Sequence, residues 1–136
     1  HYWGDWEEGS ELFTAWVALS DVGPFSGPMS FVPGSHRWGQ LPGGDFFDQD
    51  LSAQRRGISL PEGAEWNEVE AHMRAGGASF HDALTFHASG VNTSGQPRRS
   101  FDIHLLTDKS KPKGGRREGL TQFIDDVDRC PFIYKA

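Results

Sequence analysis

The sequence predicts an all-β jelly roll, and three observations carry that reading. Seventeen glycines and eight prolines are scattered along 136 residues, which breaks the chain too often for long helices. Several segments alternate with a period of two, the spacing that sends successive side chains to opposite faces of a sheet. Five tryptophans and ten phenylalanines supply the aromatic bulk that pleated sheets pack well.

Residues 11–20 form the clearest expected strand. Leu12, Thr14, Trp16 and Ala18 alternate with Phe13, Ala15, Val17 and Leu19, and bulk on both sides predicts cover on both faces. Gly23-Pro24 and Gly27-Pro28 then punctuate a turn, and a short strand over residues 29–32 stops at Pro33-Gly34. Residues 39–67 lose all periodicity. A connection of that length is expected to act as a lid or substrate loop, with a helical turn or two over residues 48–56.

Strand character resumes over residues 68–73, returns around Phe80, and is expected again over residues 84–86. The last strong strand is residues 98–107. Arg98, Ser100, Asp102 and His104 form a polar face opposite Arg99, Phe101, Ile103 and Leu105, as expected for a barrel strand with a functional interior or a solvated side. Residues 108–136 read as an irregular C-terminal extension with a short helix near residues 120–127. That makes five or six strands where a jelly roll has about eight, so the domain spanning residues 1–136 is expected to be incomplete.

Composition excludes several classes of function. A formal net charge of -6 argues against a nucleic-acid binder. No apolar run approaches the roughly 20 residues that span a bilayer. Lys109, Lys111, Lys113, Arg116 and Arg117 read as a solvated loop. Cys130 is the only cysteine, which rules out an intrachain disulfide and suits a reducing cytoplasm, and its apolar neighbours suggest a partly buried thiol.

The chemistry lies between His87 and Arg98. A strand histidine, a polar turn and an arginine on the returning strand would meet at one end of a barrel if the segment were a hairpin. An imidazole can hold a first-row metal, and a guanidinium can grip a carboxylate through two parallel hydrogen bonds. Spacing alone leaves the commoner alternatives open, a hydrogen-bonded structural histidine and a solvated arginine.

The run from His87 through Ser89, Gly90, Asn92 and Ser94 to Arg98 resembles the phytanoyl-CoA dioxygenase family. Its distal metal histidine opens an H-x-S-G-x-N-x-[ST] turn, and its co-substrate arginine follows eleven residues later. Upstream, residues 14–19 followed by residues 27–36 resemble that family's strand-turn-strand ending in P-G-[ST]-H. The resemblance implies a cupin-like double-stranded β-helix that binds Fe(II) and the co-substrate 2-oxoglutarate, and that uses dioxygen to hydroxylate a small molecule. It makes His87 an iron ligand, gives the distal carboxylate of 2-oxoglutarate to Arg98 with Ser89, and places Trp16 and Thr14 in the co-substrate pocket.

His81, Asp102 and His104 are candidates for the cavity wall or for orienting the site. Asp102 is expected to orient Arg98 or His104 through a hydrogen bond. His36 reads as a turn residue, and His72 has no nameable partner. The family's other two iron ligands form an H-x-D motif close upstream of an H-Y-[WF] sequence, which His1-Tyr2-Trp3 resembles, so that motif is expected before His1. Nothing within the chain replaces it. His1 and Asp5 would stand about 13 Å apart on a strand, and His81 and His87 about 20 Å apart on a continuous one. Two other readings stay open at this stage: a non-catalytic cupin-like binding module, and a halogenase of the same superfamily.

Overall fold

The computed structural model describes residues 5–42, 44–45, 48, 50–115 and 117–135. The reading of His1-Tyr2-Trp3 therefore lies outside the described residues, as does Arg116. The chain divides into two compact units, Phe13–His104 and the pair of segments His1–Leu12 and Leu105–Ala136.

Among the described residues six strands form two three-stranded sheets, as an all-β fold requires. They are β1 (Leu12–Ala18), β2 (Met29–Phe31), β3 (Val69–Ala71), β4 (Ala78–Asp82), β5 (His87–Ser89) and β6 (Ser100–Leu106). One sheet runs β4-β1-β6 and the other β3-β2-β5. The β1–β4 pair is antiparallel, with Thr14 opposite His81 and Trp16 opposite Ser79. In the second sheet β2 is central, pairing Phe31 with both Val69 and His87, and Met29 with both Ala71 and Ser89.

Alternation sorts these strands into faces. Thr14, Trp16 and Ala18 lie on one face of β1 and are almost fully buried. Met29 is buried and Phe31 partly so, and both pack into the same core as Trp16, Ala18, Val22 and Met73. Burying a side chain the size of Met or Val stabilises by about 1.5–3 kcal/mol. This cluster therefore ties the β1 and β2 segments together. The opposite face of the β4-β1-β6 sheet is apolar but open, with Phe80, Phe101 and Ile103 exposed.

The expected strand over residues 84–86 is a turn instead. Asp82 sets it: its carboxylate accepts from Leu84 N–H at 2.7 Å, and its carbonyl accepts from Thr85 N–H at 3.0 Å. A carboxylate that bonds the backbone two residues on makes a turn that competes with the ladder. In the long loop, the helix α1 (Leu51–Arg56) forms where residues 48–56 suggested it, with Asp50 capping Ala53 N–H at 2.9 Å.

In the second unit, Trp6 bridges to Pro112, and Glu7 N–H donates to Lys111 O at 2.7 Å. Glu11 takes Lys109 Nζ at 2.6 Å and Thr107 Oγ1 at 3.0 Å, so part of the basic run is paired and not merely solvated. Arg117 bonds Asp125. The short helix expected near residues 120–127 is a single 3-10 turn, Gly119–Thr121, followed by turns. Cys130 is exposed, which corrects the expectation of a partly buried thiol, because residues 130–135 are exposed and no apolar layer covers them.

Candidate active site

His87 opens β5 directly after the Asp82 turn. Its Nδ1 lies 2.7 Å from Thr85 O, and a carbonyl can only accept, so the proton sits on Nδ1 and the Nε2 lone pair is free. That is the tautomer a metal-binding imidazole needs, with its other nitrogen tied to a backbone carbonyl.

Two residues along the same face, Ser89 Oγ accepts from Arg98 Nη1 at 2.9 Å. The same Nη1 donates to Gly27 O, and the guanidinium carbon stands 5.5 Å from the centre of the Trp16 ring. Arg98 thus rests on an aromatic face and is tied on one nitrogen. Among the described residues nothing occupies Nε or Nη2, which leaves the paired donors that suit a carboxylate.

The expected hairpin is absent. His87 opens β5 and Arg98 ends the loop that crosses from that sheet to the other, β5 lying beside β2 and β6 beside β1. The sequence of that loop explains its shape. Asn92 Oδ1 accepts from Ser94 N–H at 3.0 Å and Ser94 Oγ at 2.7 Å, while Asn92 Nδ2 donates to Gln96 O at 2.8 Å. Thr93 N–H donates to Phe25 O at 2.8 Å and pins the loop to the segment before β2. The motif residues Asn92 and Ser94 hold the crossover, and Gly27 makes room for it. A Cβ on Gly27 would stand 2.4 Å from Gly90 O, and Gly27 has φ +65.

His81 departs most from expectation. The Asp82 turn folds β4 away from β5, and the His81 and His87 ring centres are 4.5 Å apart. The separation of about 20 Å applied only to an unbroken strand. Phe31 packs on both, at 5.0 Å from His81 and 6.1 Å from His87. Burial, then the neighbouring His87 and His104, push the His81 imidazole down to about 4, so it is neutral at neutral pH. Its Nδ1 and the Ser79 Oγ are buried without a hydrogen-bond partner.

Thr14 and His104 meet across β1 and β6, Oγ1 to Nδ1 at 3.0 Å. That contact gives the Thr14 hydroxyl a partner in His104. Asp102 shares the His104 face but is exposed and bonds neither Arg98 nor His104 among the described residues, contrary to expectation. Its carboxylate stays in water, where it needs no partner. His36 lies in the 3-10 turn Ser35–Trp38, as a turn residue should, and His72 pairs with Glu70 at 2.8 Å.

Sequence reasoning missed Ser35 as a support. Ser35 is fully buried, and its Oγ accepts from Phe86 N–H at 2.8 Å, one residue before His87. The P-G-S-H signal marked the place without indicating the bond. A cavity of about 290 Å³ lies on the other face of the β3-β2-β5 sheet, walled by Ser30, Val32, Leu51, Ile58, Trp66 and Phe86 and bordered by His87. Arg98, Ser89 and Trp16 do not line it, and Ser30 and Val32 reach it because they alternate with Phe31.

A 2-oxoglutarate carboxylate suits Arg98 and Ser89 on the chemistry of their donors. An iron ion suits the free nitrogen of His87 as one coordination position only. Among the described residues no group of three His, Cys, Asp or Glu side chains could hold a metal.

The chain is 36% identical over 95 residues to an ectoine dioxygenase of Halomonas elongata, covering 62% of this chain and 28% of that protein. It is 35% identical over 92 residues to an ectoine dioxygenase of Bordetella parapertussis, covering 60% and 30%. The chain therefore spans less than a third of the length of these curated relatives. Among solved structures it is similar to the non-heme α-ketoglutarate-dependent carbocyclase SnoK from nogalamycin biosynthesis. There the TM-score is 0.60 and the identity 28%, covering 85% of this chain and 44% of that one. The family described as Phytanoyl-CoA dioxygenase (PhyH) matches residues 1–100, and the chain belongs to that family.

Proposed function

We propose that the intact protein is an Fe(II)- and 2-oxoglutarate-dependent dioxygenase that hydroxylates a C–H bond of a small molecule. The observation that carries this reading is the seat of Arg98 on Trp16 and Ser89, two residues along β5 from an imidazole whose Nε2 is free. Arg98 anchors the distal carboxylate of 2-oxoglutarate through Nε and Nη2, and Ser89 Oγ fixes the guanidinium. Trp16 supplies a flat, dry floor. His87 holds one coordination position of the iron, which when bound activates dioxygen.

The overall reaction balances as one dioxygen and one 2-oxoglutarate consumed, with succinate, carbon dioxide and one new C–OH formed. Two relatives are named ectoine dioxygenase, which makes ectoine the first substrate to try. The carbocyclase among the similar structures leaves the outcome at the substrate carbon wider than hydroxylation alone.

The test is succinate release by the intact protein with Fe(II), 2-oxoglutarate, dioxygen and ectoine. His87→Ala should abolish it and weaken binding of Fe(II) measured directly. Full succinate release by His87→Ala would contradict the reading.

A further inference from the structure

We infer that His81 is a substrate-contact residue, presenting an Nε2–H donor beside His87 to an oxygen acceptor of the molecule that is oxidised. This rests on the dioxygenase reading and deepens it by naming a chemical feature of the substrate.

Nδ1 of His81 is buried with no hydrogen-bond partner, while the ring as a whole is only half-buried. A buried lone pair is a cheaper orphan than a buried N–H, so the proton belongs on Nε2. The more open edge of the ring is then a donor. Packing fixes its direction, because the ring is held between Phe31 at 5.0 Å and His87 at 4.5 Å. A ring needed only to brace His87 would be less costly as phenylalanine, which buries no unpaired nitrogen.

The position separates the two molecules that meet at His87. In the order β4-β1-β6, β4 lies across β1 from the strand that Arg98 leads into. Arg98, Ser89 and Trp16 serve the co-substrate on that side. His81 stands opposite Thr14 on β4, with its ring 4.5 Å from that of His87 and on the other side of β1 from the strand that Arg98 leads into. The group it takes is a carboxylate, carbonyl or hydroxyl oxygen, so the substrate is polar close to the carbon that reacts.

The experiment is ¹⁵N NMR of histidine-labelled intact protein loaded with Zn(II) and 2-oxoglutarate, with acetate as the smallest carboxylate probe. The expected spectrum shows His81 as the neutral Nε2–H tautomer, and acetate shifts that resonance after 2-oxoglutarate has saturated. His81→Phe should fold with unchanged 2-oxoglutarate affinity and weaken acetate binding about tenfold, the effect of one lost hydrogen bond. His81→Gln, which returns an N–H at that reach, should restore most of it.

An Nδ1–H tautomer overturns the inference, as does acetate binding that ignores His81→Phe. A shift produced by 2-oxoglutarate alone, with no further response to acetate, assigns the donor to the co-substrate and also overturns it. Failure of 2-oxoglutarate to bind at all would instead defeat the dioxygenase reading.

Discussion

Arg98 donates to Ser89 Oγ at 2.9 Å although the two residues flank a loop that passes from one sheet to the other. The bond closes that loop over the Trp16 ring and holds the guanidinium at the side of β5 that carries His87. Residues that support the Arg98 and His87 ends of this segment therefore act on the site without touching a ligand.

Gly27 is the first such residue. Gly27→Ala should destabilise the protein by about 1–3 kcal/mol, the usual cost of overpacking, because the new methyl group meets Gly90 O. It also displaces the carbonyl that Arg98 Nη1 bonds, so 2-oxoglutarate affinity should fall together with stability. Urea unfolding and co-substrate titration of the same variant check both.

Ser35 is the second. Ser35→Ala leaves the Phe86 N–H without its acceptor in a fully buried place, a loss of about 1–3 kcal/mol. Because Phe86 precedes His87, metal affinity should weaken beyond what the stability loss accounts for. Ser35→Thr keeps the hydroxyl and should recover part of both in urea unfolding and metal titration.

These two positions show where the sequence was legible. The alternating faces of β1 and β6 were readable because one face of β1 is buried throughout, which enforces a strict period of two. His87, Ser89 and Arg98 were singled out by the resemblance of their run to a family motif, and not by spacing alone. The turn at residues 83–85 was not, because Leu84 and Phe86 are apolar and imitate a strand, while the Asp82 side chain that breaks it looks like an ordinary polar residue. The nearness of His81 and His87 follows from that turn and was hidden with it. The exposure of Cys130 was hidden for a related reason, since its apolar neighbours Phe132 and Ile133 are themselves exposed.

Asp21 gives a pH dependence with a definite sign. Its carboxylate accepts from Ala75 N–H at 2.9 Å and from Arg74 Nη1 at 3.1 Å. The Ala75 bond, followed by Arg74, holds its pKa below the usual carboxylate value. A depressed folded pKa contributes stability that is present above the unfolded pKa, near 4, and is lost as pH falls through the folded one. Asp21→Asn should therefore be less stable than the parent at pH 7, and the gap should close below about pH 4. Urea midpoints at pH 7 and pH 3 measure it.

The most direct measurement is calorimetric titration of 2-oxoglutarate into the intact protein and its Arg98→Ala and Arg98→Lys variants, with Zn(II) in place of iron. A bidentate, charge-assisted pair at Arg98 predicts a loss of about a hundredfold or more in Arg98→Ala, only partly recovered by lysine, with metal affinity retained. Equal 2-oxoglutarate affinity in all three proteins would contradict the account.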